Sequence, residues 1–217
     1  MNGRILVVGN KNYSSWSLRP WLALKQLDLE FEEVRVPLYV PGAKERLLGY
    51  SPAGKVPVLI DGGRRVWDSL AILEYLAETH GSLWPAAPTA RALARSICAE
   101  MHSGFAALRR DMCMNIRKRL PGKGRTPEAL ADVGRIVSMW GDCRAQFAAG
   151  GPFLFGGFGA ADAMYAPVVL RFRTYEVDLP PPCRAYADAV LGLPALREWI
   201  DAAEHETESL PQFEMYG

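Results

Sequence analysis

The spacing of apolar residues changes period several times along the first eighty positions. Ile5, Leu6, Val7 and Val8 form a β-rich run that stops at Gly9, the pattern of a short buried strand. Downstream, Leu18, Trp21, Leu22, Leu24 and Leu27 recur at helical spacing. They predict a helix over 17–27, with Pro20 in a first turn where its missing N–H costs nothing. A strand is expected over 31–36 and a helix after it. An apolar strand then begins at Pro57 and turns at Gly62-Gly63, and a further strand includes Arg65-Val66-Trp67. Residues 70–80 read as a helix with Leu70, Leu73, Leu76 and Ala77 on one face.

The segment 81–88, with Pro85 and Pro88, stops that helix and precedes a shift toward Ala, Leu and Arg. Beyond it no strand pattern recurs. Leu93, Ile97, Met101, Phe105, Leu108 and Met112 step by three or four and predict one long buried helix. A loop rich in Gly, Pro and basic residues over 120–127 precedes a second helix to about Phe147. Gly156-Gly157-Phe158-Gly159 suggests a dinucleotide-binding loop, but the surrounding βαβ unit and the later acidic residue are missing. A helix start fits better, with Gly159 at the cap, Asp162 three residues on, and Met164, Val168 and Leu170 as the buried face.

Composition narrows the function. The chain has 217 residues and a net charge of +1, with no basic block able to track a nucleic acid backbone. No apolar run is long enough to span a bilayer, and residues 1–9 are too short for a signal peptide, so a cytosolic protein is expected. Cys98, Cys113, Cys143 and Cys183 have no redox or zinc spacing and read as reduced, mostly buried thiols. With only His80, His102 and His205 present, no metal site is expected.

Candidate chemistry concentrates at two helix starts. Asn12-Tyr13-Ser14-Ser15-Trp16-Ser17-Leu18-Arg19 puts two hydroxyls where free N–H groups and the positive end of a helix dipole converge. Such a place can hold a thiolate or another anion, or one serine can simply cap the helix. Asp68-Ser69 offers a second such start, suited to a carboxylate or again only a cap. Pro57 at the head of an apolar strand belongs at an edge or a cis turn. A cis bond there would turn the Val56 peptide groups outward, where an extended peptide could pair with them.

Taken in order, these elements resemble the thioredoxin-like domain of the cytosolic glutathione transferases, and the resemblance covers essentially the whole chain. Ser14-Ser15-Trp16-Ser17-Leu18-Arg19 is similar to the zeta-class Ser-Ser-Cys-x-x-Arg pattern, with Trp16 in the place of the cysteine. The resemblance implies an α/β thioredoxin-like domain over 1–80, a linker over 81–90 and an all-helical domain over 91–217. It implies glutathione as co-substrate, held by Lys55, Val56, Pro57, Asp68 and Ser69, and a homodimer. The thiolate would be stabilised by Ser14 in the zeta-like register, by Ser15 in a theta-like one, or by Tyr13 as in other classes. A small electrophile, with an anionic end, would lie between the domains against Trp16, His102, Phe105, Arg109 and Met112, near Cys98. Lys118, Arg119, Lys123 and Arg125 read as a solvated rim. Three activities remain open: transfer to an electrophile, cis–trans isomerisation of the maleylacetoacetate type, and non-catalytic glutathione binding by a stress protein.

Overall fold

The opening apolar run becomes β1 (Ile5–Val8), an inner strand of a four-stranded sheet. The computed structural model describes residues 3–81 and 83–216; residues 1, 2, 82 and 217, including the outer ends of both expected domains and one linker residue, lie outside the described residues. β2 (Glu32–Arg35) pairs with β1 in parallel, and β3 (Val58–Asp61) runs antiparallel on its other side. β4 (Arg64–Trp67) completes the order β2-β1-β3-β4. A parallel pair needs a crossover, and α1 (Ser15–Gln26) supplies it. α2 (Ala43–Tyr50) joins β2 to β3, and α3 (Ser69–His80) follows β4.

Side chains alternate along each strand, so the sheet feeds two clusters. Leu6, Val8 and Leu59 pack with Leu18 and Leu22 of α1 and with Ile72 and Leu73 of α3. Val7 and Val58 join Val36 and Leu47 in a smaller cluster that includes α2. α1 starts two residues earlier than its apolar period suggested. Ser14 therefore takes the N-cap position and Pro20 lies inside the helix rather than in its first turn. Its absent N–H leaves the carbonyl four residues back, that of Trp16, without an intrahelical donor.

The second half is helical among the described residues: α4 (Pro88–Ser103), α5 (Ala106–Asp111), α6 (Pro127–Phe147), α7 (Ala160–Tyr175), α8 (Pro181–Leu191) and α9 (Pro194–Glu204). Four of these begin with proline, whose fixed φ and missing N–H suit a first helical position. The long helix expected from Leu93 to Met112 is two helices. A Cβ on Gly104 would lie 2.8 Å from the Glu100 carbonyl oxygen, and Phe105 adopts φ +59°. The break rotates the chain, so Phe105, Leu108 and Met112 reach the core by a turn, not by continued periodicity.

α7 is buried on nearly every side and packs on α1 and α4. Its start explains the glycine at its cap. A Cβ on Gly159 would meet the Leu83 carbonyl at 2.7 Å, and that carbonyl accepts the Ala160 N–H at 2.8 Å. Asp162 keeps the reciprocal half of the cap: its carboxylate accepts the N–H of Gly159 at 2.8 Å and of Leu154 at 3.0 Å, while its own N–H donates to the Gly159 carbonyl at 3.1 Å. Burial pushes the Asp162 carboxyl up to about 6, against the opposing pull of those backbone donors.

A carboxyl raised from 3.8 to about 6 on folding adds stability below its unfolded value and loses it as pH rises through the folded one. The contribution is on the order of 3 kcal/mol. The unfolding free energy of wild type minus that of Asp162→Asn, from urea titrations, should therefore shrink by about that amount between pH 4 and pH 7. A difference that grows with pH would mean the backbone donors outweigh burial.

Candidate active site

The loop between β1 and α1 is held by groups from both halves of the chain. The Asn10 carbonyl accepts the N–H of Tyr13 and Ser14, and its side chain accepts the Leu38 N–H at 2.8 Å. Asn12 donates to Asn115 Oδ1 at 3.0 Å and accepts the Arg117 N–H at 3.0 Å. Glu206 accepts the N–H of Lys11 at 2.6 Å and of Asn12 at 3.0 Å. So fixed, Ser14 and Ser15 open onto a cavity of about 620 Å³, within the range of small-molecule sites. A larger hollow of about 880 Å³ lies beside β2, against Trp21, Phe31 and Glu198, away from both serines. The smaller cavity is the better candidate because hydroxyls, a helix N-terminus and cations converge on it.

Ser14 does not cap the helix through its side chain; its Oγ lies 2.7 Å from Ser17 Oγ. Ser17 Oγ accepts the Gly9 N–H at 3.1 Å, so its own hydrogen is available to Ser14. Either hydroxyl can be the donor in this pair, and when Ser17 donates, the Ser14 hydrogen is free for a ligand. Ser15 Oγ lies 3.5 Å from Arg171 Nη2.

Tyr13 is differently placed. Its ring lines the cavity, but its hydroxyl donates to Glu214 at 2.6 Å and accepts from Arg117 at 2.8 Å and from the Leu210 N–H at 3.3 Å. Burial raises the Glu214 carboxyl, yet the hydrogen bonds from Tyr13 and Asn115 and nearby Lys118 leave it below its ordinary value. As a carboxylate it can only accept, so the Tyr13 hydrogen is committed to it, and both oxygen lone pairs are occupied.

A neighbouring cavity of about 450 Å³ is lined by Trp16, Lys55, Val56, Pro57, Asp68, Ser69 and His102. It shares Trp16, Lys55 and Val56 with the first. The Val56-Pro57 bond is cis, as its position at the head of the strand suggested. Asp68 Oδ1 caps α3, accepting the N–H of Leu70 at 2.8 Å and of Ala71 at 3.3 Å, while Oδ2 lies 3.2 Å from His102 Nε2. Asp68 also adopts φ +76°, a conformation that costs on the order of 1–3 kcal/mol in a non-glycine residue.

Of the expected electrophile-site residues, the structure brings three together. Trp16 lies edge-on to His102 at 5.3 Å, and the Arg109 guanidinium sits 4.7 Å from its ring centroid. Phe105 and Met112 are buried in the main core, after the break at Gly104, and are not among the residues that line either cavity. Cys98 is also core, its thiol pushed up by burial. Lys118, Arg119, Lys123 and Arg125 line neither cavity.

The sequence quoted Arg19 and Ser17 without giving them a role, read Cys113 only as a buried thiol, and passed over Arg171, Tyr39 and Phe213. Arg19 is fully buried. It donates to Ser69 Oγ at 3.2 Å and lies over Trp16 at 4.4 Å, but its Nε and Nη2 have no hydrogen-bond partner among the described residues. Burial, then Arg109 and Arg171, bring its pKa down to about 9; burial and Arg109 bring Arg171 down to about 10. Three guanidinium groups thus crowd one region that any anion would relieve. Arg171 had left a signal, a charge inside the apolar run Val168-Val169-Leu170-Arg171-Phe172. The tail residue Phe213 had left none.

Known proteins share the sequence pattern and the fold. The family model described as "Glutathione S-transferase, N-terminal domain" matches residues 13–79, and "Glutathione S-transferase, C-terminal domain" matches 123–202. The "Maleylacetoacetate isomerase" of Rattus norvegicus is 32% identical over 172 residues, covering 77% of each chain. The "Probable maleylacetoacetate isomerase" of Caenorhabditis elegans is 43% identical over 96 residues, 43% of this chain; the match spans 44% of that relative's length. A glutathione transferase homologue from Burkholderia GL BGR1, solved with bound glutathione, superimposes with a TM-score of 0.71 at 23% identity, covering 95% of this chain and all of the other.

Removing the Tyr13 hydroxyl strips partners from Arg117, Glu214 and the Leu210 N–H. Tyr13→Phe should lower the unfolding free energy by about 1–3 kcal/mol in urea titrations and speed amide exchange across 206–214. Unchanged stability and unchanged exchange would show that these bonds do not hold the tail.

Proposed function

The chain belongs to the glutathione S-transferase family, and from that membership we propose that it uses a loop serine to hold glutathione as a thiolate and directs the sulfur at a small electrophile. The observation that carries this reading is the paired hydroxyl of Ser14 and Ser15, opening with Val56 onto one cavity whose wall is cationic. Glutathione is the co-substrate. Its cysteinyl backbone pairs with Val56, its γ-glutamyl carboxylate lies on Ser69 at the start of α3, and Lys55, Pro57 and Asp68 border it. The division into a thioredoxin-like domain over 1–80, a linker over 81–90 and a helical domain over 91–217 puts the electrophile between the two.

A free thiol titrates near 8.5, and lowering it by about two units requires roughly 2.7 kcal/mol of preference for the thiolate. One hydroxyl donating to the sulfur contributes about 1.5–3 kcal/mol, before the helix dipole or Arg171 is counted. Ser14 is the favoured donor because Ser17 supplies the hydrogen bond that leaves its proton free. Ser15, beside Arg171, supports it. The serine is a donor throughout and forms no covalent bond. The thiolate attacks, the electrophile's leaving group departs, and the thiol proton goes to solvent.

A second reading rests on Arg109 and Arg171, two cations on the cavity wall that suit a substrate bearing a carboxylate. In a maleylacetoacetate-type isomerase the thiolate adds to a double bond, rotation follows, and the thiolate leaves again. The rat and nematode relatives support it; Trp16, where that class carries cysteine, speaks against it. Consumption of glutathione separates the two, being stoichiometric in transfer and nil in isomerisation. Non-catalytic binding is the weaker alternative, since the hydroxyl, peptide and carboxylate positions are all intact.

We place the enzyme in the cytosol as a homodimer. Four free, buried cysteines suit a reducing compartment, and Trp67, exposed on edge strand β4, offers apolar surface to a second copy. Among the described residues no helix is long and apolar enough to cross a membrane.

Thiolate absorbance against pH with glutathione bound tests the assignment. Ser14→Ala should raise the bound thiol's pKa by about one to two units and cut turnover at neutral pH roughly ten- to a hundredfold. Tyr13→Phe should leave the titration in place. A shift confined to Ser15→Ala would move the role by one residue, and a shift confined to Tyr13→Phe would end the serine mechanism. Separately, calorimetry should show Ser69→Ala binding glutathione about 1.5–3 kcal/mol more weakly; equal affinity would put the γ-glutamyl carboxylate elsewhere.

A further inference from the structure

Ser17 lies in the first turn of α1, is fully buried and lines neither cavity. Among the described residues it is nevertheless the polar partner of the Ser14 hydroxyl. We propose that Ser17 is the positioning residue of the thiolate donor: anchored by a backbone N–H at the end of β1, it fixes the direction in which Ser14 presents its hydrogen. The proposal rests on the transferase reading and names what stands behind its serine.

A helical serine can spend its hydrogen on the carbonyl four residues back. Ser96 and Ser103 do so, at 3.0 and 2.9 Å. For Ser17 that carbonyl belongs to Tyr13, and it takes the Ser15 N–H at 3.0 Å instead. The Ser17 oxygen accepts the Gly9 N–H, and a backbone amide can only donate, so this end of the chain of bonds has a fixed sense. Two placements of the hydroxyl hydrogens then compete. If Ser14 donated, Ser17 Oγ would accept twice, and the Ser17 hydrogen would be sealed from water with no acceptor among the described residues. If Ser17 donates, its bonding is complete, and the hydrogen left over is that of Ser14 on the cavity wall. The cost of a buried unpaired polar group favours the second placement by roughly ten- to a hundredfold. A hydroxyl that receives a hydrogen bond is in turn a better donor.

The local build serves this chain of bonds. Ser14 and Ser17 hold the N-cap and third helical positions of α1, the spacing of a capping box, but Ser14 bonds to the Ser17 side chain and makes no side-chain cap. A Cβ on Gly9 would lie 2.6 Å from Leu38 Cδ1 and 3.3 Å from the Ser14 Cβ, so the end of β1 comes this close only as glycine.

Ser17→Ala breaks the chain of bonds without changing a residue of either cavity wall. Thiolate absorbance against pH, with glutathione bound, should show the thiol's pKa raised by about half to one unit. In a Ser14→Ala background the same change should add nothing, because Ser17 acts through Ser14. Calorimetric affinity for S-methylglutathione, which has no thiol to ionise, should stay within about twofold of wild type. Wild type supplies a readout that needs no variant to fold: the Gly9 amide proton resonance should move with pH in step with the bound thiol, and only while glutathione is bound. An unmoved thiol pKa in Ser17→Ala, a further shift in the double variant, a matching loss of S-methylglutathione affinity, or a Gly9 resonance that ignores the titration each overturns the proposal and leaves the transferase reading standing. If glutathione bound to wild type titrates like the free tripeptide, the transferase reading itself falls, and this proposal with it.

Discussion

The site depends on a short loop whose polar groups are satisfied by the half of the chain that comes after it. Asn12, Tyr13 and the backbone of Lys11 bond to Asn115, Arg117, Glu206, Glu214 and Leu210. A buried donor or acceptor left unpaired costs about 1–3 kcal/mol, so the loop is stable in this shape only while the helical half is docked. The serines are therefore aimed by residues a hundred or more positions away. This cross-bracing also explains why a tyrosine sits one position before them with no hydrogen to spare: it is a fastener.

Against that rigid frame stands an unbalanced charge. Burial lowers the basicity of Arg19, Arg109 and Arg171, Arg109 lowers that of the other two further, and Arg19 has two nitrogen atoms with no partner among the described residues. Burying a guanidinium with no carboxylate hydrogen-bonded to it is unfavourable, and the compensation on offer is modest: the Trp16 face for Arg19 and Arg109, Ser69 and the charge of Asp68 for Arg19, the charge of Asp132 for Arg109, and backbone carbonyls of Met101, Gly104 and Met112 for Arg109 and Arg171. A region so arranged gains most when an anion arrives. The tripeptide thiolate and any carboxylate on its reaction partner are the anions this chemistry provides.

Much of this was legible beforehand because the signals were local. A β-branched run, a proline-led strand, an acidic-serine helix start and a Gly-x-x-Asp cap each state their geometry within a few residues. What stayed hidden was set by contacts distant in sequence. Periodicity carried Leu93 through Met112 as one helix because it is blind to the 2.8 Å approach between a Cβ at Gly104 and the Glu100 carbonyl. Phe105 and Met112 lie in the core, as that periodicity had it, but beyond the break and apart from the residues that line the two cavities. Arg19 looked like part of a motif, and only the structure revealed it as a buried charge with two nitrogens unpaired among the described residues. Phe213 lay in a tail with no pattern of any kind.

Leu6 of the sheet, Trp21 of α1, Met101 of α4 and Trp140 of α6 all belong to one continuous hydrophobic cluster that crosses the boundary between the two halves. Where a boundary is wet, parts melt separately; where apolar packing runs through it, exposing one side strips the other. The two halves should thus lose structure as a single cooperative unit, and the thioredoxin-like half, cut free, would present α1 to water with its outer face uncovered. A lineage built this way can vary its electrophile by changing loops and tail. It cannot trade its helical half for an unrelated one without rebuilding the face of α1.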